Sequence, residues 1–340
     1  MMPGPQAAFM TALLQSREAA NVTADAVARI SATADGSELR DDLRGTDIGR
    51  LLGNATFQDR RERDGFLWEY LEAQFSLLEE MPFFPADAAQ FARAYIRKYD
   101  LANLKAHLQG IAAGKASALI PVGILRRGGF LDDLAEADSV EGIGRILRSA
   151  GLAEFAAGLS AADTARGVPE TTFLDAAFHN HLASVARGLH GETILAHACG
   201  VMLDYENLSL LLRAVPGEWG TAAEKHFIAP GYLLTANEFK ECVTFGAKEF
   251  AKRIEFPAYR NAAEEAASLA SAATPAAAGE VVAKHRFAHL RGLLATQVAP
   301  PCVAAWYLIL KETEVRNVRL LLKAAEDGLS LEAARRCMVL

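Results

Sequence analysis

The chain has 340 residues, 51% of them hydrophobic and 23% charged, which is enough to bury more than one core and too apolar for a disordered chain. Its formal net charge of −7 argues against binding nucleic acid through phosphate contacts. Four widely separated cysteines, Cys199, Cys242, Cys302 and Cys337, form no C-x-x-C pair, so neither a zinc ribbon nor a disulfide framework is expected, and a reducing compartment fits. Met1 to Ala20 has no charged segment followed by an apolar core, so no signal peptide is expected.

Taken in order, residues 8–35 repeat apolar positions at helical spacing, through Met10, Leu13, Leu14, Val22, Val27 and Ile30. Thr46-Asp47-Ile48-Gly49 punctuates the next stretch. Asp64 is placed to cap a helix through Leu78, whose apolar face is Phe66, Leu67, Tyr70, Leu71, Phe75 and Leu78. Pro82 and Pro85 end it, and a long helix is expected over about 86–109. After Gly110 comes a loop, Leu119 to Gly129, then short helices near 130–137, 139–149 and 151–158. Pro169 opens a helix through Leu189, and a second long helix covers about 192–214. Glu218-Trp219-Gly220 begins the last third, where Phe227-Ile228-Ala229-Pro230-Gly231 resembles the loop around Pro121-Val122-Gly123. Short helices near 237–252 precede an alanine- and serine-rich stretch, 262–283, which reads as helix, loop and helix around Pro275 and Gly279. A helix over about 281–296 meets Pro300-Pro301. A third long helix then runs 301–326 and a short one 330–336. No strand pattern of comparable strength occurs, so the expected class is all-α.

One pattern organises these elements. Asp100-Leu-Ala-Asn103, Asp204-Tyr-Glu-Asn207 and Glu314-Val-Arg-Asn317 all read acid-x-x-Asn followed by an aliphatic residue, with the asparagines 104 and 110 residues apart. Each lies in a long apolar-periodic helix that starts at a breaker: Pro85, Gly191 and Pro300 stand 18, 16 and 17 residues before the three asparagines. Each helix ends at a stop: Gly110, Pro216-Gly217 and Gly328. A period this long predicts three copies of one helical domain, over 1–117, 118–224 and 225–340. On a helix the acid and the asparagine share a face. A polar pair on an apolar stripe is expected to tie its helix to a neighbouring backbone in the same domain, because a buried unpaired group costs about 1–3 kcal/mol.

Other patterns carry less. Gly292 to Leu310 is 19 residues without a formal charge, but Pro300-Pro301 splits it, so two buried helix ends are expected rather than a membrane span. Gly110 to Ser117 resembles a phosphate loop with one residue too few between its glycines and Ala116 where Ser or Thr belongs. Asp132, Asp133 and Glu136 resemble the acidic Mg²⁺ motif of all-α isoprenoid synthases. The second motif such a site needs is missing, since Asn180 and Ser184 are followed by Gly188 in place of Glu. His285 and His289 are spaced to share a helix face, but Arg286 occupies the Glu position of H-E-x-x-H; His179 and His181 fall on different faces. No nucleophile elbow occurs. No catalytic residue, cofactor or metal is therefore expected.

The ordered set Thr46-Asp47-Ile48-Gly49, Phe91 to Leu108 with Asp100 and Asn103, Ile120-Pro121-Val122-Gly123, Leu203 to Leu211, and Glu312 to Leu322 resembles the C-type subunit of the V/A-type (vacuolar/archaeal-type) rotary ATPases, related to the d-type subunit of eukaryotic vacuolar ATPases. The resemblance spans most of the chain; Glu314 for Asp and Val318 for Leu depart from its pattern. It implies a funnel of three similar helical domains about a pseudo-threefold axis, without catalysis or cofactor. It also implies a place on the cytoplasmic side of the membrane rotor ring, as a socket for the central shaft that transmits torque for proton or sodium transport. The alternatives are a generic α-helical interaction scaffold and a class I isoprenoid synthase.

Overall fold

The computed structural model describes residues 4–30, 36–161, 171–214, 227–245, 247–270 and 275–340. Expectations that fall on Pro169, Pro216-Gly217, Glu218-Trp219-Gly220 and 271–274 lie outside the described residues. Among the described residues the chain forms α-helices and no strand, the all-α class that the periodicity implies.

The first helices are α1 (Pro5–Glu18), α2 (Ala24–Arg29), α3 (Gly36–Leu43), α4 (Asp47–Leu52), α5 (Arg60–Glu80) and α6 (Ala86–Tyr95). Their starts are written locally. The Thr23 hydroxyl caps α2 by accepting from Ala26 N–H at 3.2 Å. Thr46 caps α4, accepting from Gly49 N–H at 3.0 Å while donating to the Leu43 carbonyl at 2.8 Å. Gly49 is obligatory there, because a Cβ would stand 1.7 Å from the Leu43 oxygen. The cap of α5 is Asp59, not Asp64: the Asp59 carboxylate accepts from Glu62 N–H at 2.8 Å, and the Glu62 carboxylate accepts from Gln58 N–H at 2.6 Å. This is a shifted capping box, and it frees Asp64 for arginine pairing.

The long helix expected over 86–109 is divided. α6 ends at Tyr95 and α7 (Arg97–Ala113) begins after Ile96, where Tyr99 N–H reaches only three residues back to the Ile96 carbonyl at 3.0 Å, a tighter 3₁₀-type turn. The short helices follow as α8 (Ile124–Arg127), α9 (Leu131–Glu136), α10 (Val140–Ser149) and α11 (Ala153–Ala161). Then come α12 (Thr172–Arg187), α13 (Glu192–Ala214), α14 (Ala236–Phe245), α15 (Ala247–Arg253), α16 (Pro257–Ala270) and α17 (Pro275–Leu294). The chain finishes with α18 (Pro300–Glu326) and α19 (Leu331–Cys337). Pro300 and Pro301 open α18, where their missing N–H groups have no intrahelical acceptor.

Compactness divides the chain differently from sequence repetition. One unit joins Met1–Ala92 with Leu294–Leu340, and the other is Arg93–Leu293. In the first unit α18 is central, with α1, α3, α5 and α19 against it. Its Cys302, Ala304, Leu308, Val318 and Leu321 are fully buried, each large aliphatic contributing about 1.5–3 kcal/mol. In the second unit α10 packs on α11, α11 on α12, and α12 on both α13 and α7, while α13 also meets α14 and α16. Leu125, Leu147, Phe155, Leu182, Leu195 and Tyr259 are fully buried there.

Candidate functional site: three acid–asparagine clamps

All six residues of the repeated motif are buried polar groups: Asp100, Asn103, Asp204, Asn207, Glu314 and Asn317 are each at most 3% exposed. Each is spoken for by backbone.

The asparagines act alike. Asn103 Nδ2 donates to the Ile120 carbonyl at 2.9 Å, and its Oδ1 accepts from Ile120 N–H at 2.7 Å. Asn207 does the same to Ile228, at 3.2 and 2.8 Å, and Asn317 to Val339, at 2.6 and 3.1 Å. One amide side chain thus satisfies both polar groups of one backbone residue, as a neighbouring strand would. Only a side chain with donor and acceptor together can do this.

The acids differ. Asp100 accepts from Ile124 and Leu125 N–H, both at 2.9 Å, where α8 begins. Asp204 accepts from Tyr232, Leu233 and Leu234 N–H at 2.9, 2.7 and 3.2 Å, just before α14. These N–H groups would otherwise be orphans next to a helix start, and a carboxylate there is a charge-assisted acceptor. Burial pushes the Asp204 pKa up to about 6, against the pull of the three N–H donors. The adjoining glycines make room. Gly123 has φ +119°, and a Cβ on it would stand 2.4 Å from Asp100 Oδ1; Gly231 has φ +76°, and its Cβ would meet the Leu234 oxygen at 2.3 Å. Both loops therefore need glycine for a positive φ and a close approach, to the Asp100 carboxylate in one and to the Leu234 carbonyl in the other.

The expectation of a partner in the same domain, over 1–117, 118–224 and 225–340, is not met by most of these residues. Asp100 and Asn103 bind backbone at 120, 124 and 125, and Asp204 and Asn207 bind backbone at 228 and 232–234, each in the following third, while Asn317 alone stays in its own. Glu314 departs furthest. Its Oε1 accepts from Val22 N–H at 2.9 Å across 292 residues, and its Oε2 accepts from the Tyr70 hydroxyl and the Lys311 ammonium, both at 3.0 Å. The glutamate's extra methylene reaches a segment of the N-terminal helices that pack on α18. Lys311, fully buried, also donates to Asn21 Oδ1 and to the Tyr70 oxygen at 2.9 Å. Burial, with Glu314 alongside, pushes the Tyr70 pKa up and keeps its hydroxyl a donor. The network extends through Tyr307, whose hydroxyl donates to Gln74 Oε1 at 2.6 Å. Sequence reading missed Lys311. The available signal was its place three residues before Glu314, the first charge after the uncharged run 292–310.

The remaining candidates are not assembled into a site. Gly110 to Ser117 is the C-terminal stop of α7: Gly114 is left-handed at φ +62°, Lys115 N–H returns to the Gly110 carbonyl at 2.9 Å, and the Ser117 hydroxyl donates to the Ala106 carbonyl at 2.8 Å. Asp132, Asp133 and Glu136 are exposed on α9. His285 Nε2 meets Glu265 at 2.8 Å, whereas His289 stands among the rings of His197, Tyr205 and Tyr259. His179 has an enclosed Nδ1 without a hydrogen-bond partner, and burial lowers its pKa to about 4. Among the described residues no group of three His, Cys, Asp or Glu side chains is placed to hold a metal ion, and no helix is long and apolar enough to cross a membrane.

These features define an all-helical protein whose most elaborate polar constellations bind its own backbone. Comparison with protein families gives a match to the ATP synthase (C/AC39) subunit family over residues 10–337. The chain belongs to that family and is accordingly a subunit of a V/A-type rotary ATPase. No curated protein matches it.

Proposed function

We propose that this protein is the non-catalytic connector of the central stalk. In this reading it joins the central-shaft subunits to the membrane rotor ring of proteolipids and passes torque between them for ATP-coupled proton or sodium transport. It needs no cofactor, binds no nucleic acid and sits peripherally on the cytoplasmic face. The observation that carries the reading is the family match along nearly the whole chain. The clamps support it. A torque-transmitting part must resist shear, and each clamp ties a long helix to backbone outside that helix through asparagine bonds and charge-assisted carboxylate bonds that are costly to leave unmade. The recurrence of the clamps at a period of 104 and 110 residues supports three copies of one helical domain, the first two clamps binding backbone of the following copy and the third drawing its acid's donor from the N-terminal segment. A ring-like base of three such domains suits stacking on a symmetric rotor, through an interface of more than about 1,000 Å².

The test is co-purification. The tagged chain is expected to bring down catalytic-head, shaft and rotor-ring subunits in stable ratio from gently solubilised native membranes. Recovery of the chain alone, where the rotary ATPase from the same membranes survives intact, overturns the reading.

A further inference from the structure

In the first two clamps one continuous stretch of chain supplies both partners. Ile120 pairs with Asn103 and the donors to Asp100 follow at 124 and 125; Ile228 pairs with Asn207 and the donors to Asp204 follow at 232 to 234. Holding the asparagine's partner therefore holds the acid's partner within a few residues, and the loop-closure entropy is small. In the third clamp this continuity is missing. Asn317 holds Val339, but the donor to Glu314 is Val22. No short covalent path runs between these partners; the segments that carry them meet only through non-covalent contacts such as that of the Arg335 guanidinium with the Ile30 carbonyl.

Beside its contacts with Tyr70, the third clamp carries side-chain contacts directed at residues 18–22. Lys311 donates to Asn21, and Trp306 Nε1 donates to Glu18 at 3.2 Å. These contacts line the same face of α18 in order, 306, 311 and 314 against 18, 21 and 22. The segment therefore lies parallel to α18 and is fastened at three points. Arg17 extends the contact to Gln74 on α5 at 3.5 Å.

We propose that residues 18–22 are a releasable latch, and that the Lys311–Glu314 pair of α18 is its receptor. The first unit then has a seam that opens by detaching this segment from α18. The clamps at Asp100 and Asp204 stay closed meanwhile, because they are held by continuous chain. The buried Lys311 is the residue that sets how often the seam opens.

Native-state hydrogen exchange, read by mass spectrometry on fragments of the full chain, tests this. The amides of Val22, Leu125 and Leu233 are the matched reporters, each donating to a clamp carboxylate. The Val22 fragment is expected to exchange at least about tenfold faster than the other two, as local opening predicts. Lys311→Met should raise the Val22 rate about ten- to hundredfold further and leave Leu125 and Leu233 unchanged. Asn21→Ala removes only the latch side of that contact and should act in the same direction, which keeps the test in force if Lys311→Met does not fold. Equal protection of the three reporters overturns the latch. So does acceleration of all three together, which marks global loosening, or a fast Val22 that neither variant changes, which marks a frayed segment with no receptor.

Discussion

Asn207 holds Ile228 by both of its polar backbone groups, donating to the carbonyl at 3.2 Å and accepting from the N–H at 2.8 Å. Asn207 is 1% exposed and Ile228 is fully buried, so water does not replace either bond. Leucine has the same branched four-heavy-atom side chain, with neither a donor nor an acceptor. Asn207→Leu leaves two buried backbone groups unpaired and is expected to cost about 2–4 kcal/mol. Thermal unfolding should show a transition lowered by several degrees; an unchanged melting temperature would show that the pair contributes nothing.

The clamp loops make a second expectation. Gly123 combines a positive φ with a steric conflict, because its missing Cβ position is 2.4 Å from Asp100 Oδ1. Gly129 has φ +76° and nothing within 4 Å of its Cβ position. Alanine at 129 therefore meets only the left-handed backbone cost, about 1–2 kcal/mol. Alanine at 123 must also displace the carboxylate that holds Ile124 and Leu125, and about 3–5 kcal/mol is expected. Urea midpoints of the two variants check the order; equal losses would mean that the loop shifts freely to admit the methyl group.

Two buried groups in the second unit give opposite pH dependence. Burial lowers the His179 pKa to about 4, below its unfolded value near 6.5. The unfolded chain then binds the proton first, so stability falls as pH drops from 6.5 towards 4. Asp204, raised to about 6 from an unfolded value near 3.9, binds its proton first in the folded state. Its contribution is present at pH 4 and lost as pH rises through 6. Each amounts to about 2–3 kcal/mol between pH 7 and 4.5, with opposite sign. His179→Leu should therefore gain on the wild type on acidification, and Asp204→Asn should lose to it. Urea unfolding at pH 7 and pH 4.5 measures both differences; a pH-independent gap for either variant refutes its assignment.

The long helices and the clamp positions were legible because both are local signals. Apolar spacing, Pro300-Pro301 and Gly328 bound α18 to within a residue or two, and acid-x-x-Asn puts two polar groups on one helix face. The likeness of the 120–123 and 228–231 loops was visible too, although their bonds to Asn103 and Asn207 were not. What escaped has no local trace. The Val22–Glu314 bond spans 292 residues, and no spacing rule connects its ends. The cap of α5 was a different failure. Asp59-x-x-Glu62 is a readable box, but Asp64 lies closer to the first apolar residues of the helix, and the five polar residues between Asp59 and Gly65 hid the extra turn. The break at Ile96 carries neither proline nor glycine, and its sequence gives no warning.

Arg63 and Arg44 test how burial changes the worth of an ion pair. Arg63 is 2% exposed and lies between the Asp64 carboxylate, at 2.7 Å, and Glu326. Arg319 donates to Asp64 at 2.6 Å and Arg60 stands 3.7 Å from Glu326, so α5 and α18 are joined by three arginines and two acids. Burial opposes the Arg63 charge, but its two carboxylate partners outweigh that and raise its pKa. Arg63→Met deletes the central cation and leaves Asp64 with Arg319 alone. Because Asp64 and Glu326 remain partly hydrated, at 20% and 36% side-chain exposure, the loss should be about 1–3 kcal/mol, below that of a fully buried pair. Arg44 pairs with Asp41 at 3.0 Å with both side chains more than half exposed, and Arg44→Ala should cost no more than about 0.5 kcal/mol. Chemical denaturation with urea separates the two cases. Raising the salt from about 0.05 to about 0.5 M, for a roughly threefold shorter screening length, should weaken the exposed pair further and leave most of the Arg63 difference. Equal losses at both sites would show that the α5–α18 cluster is only a surface contact.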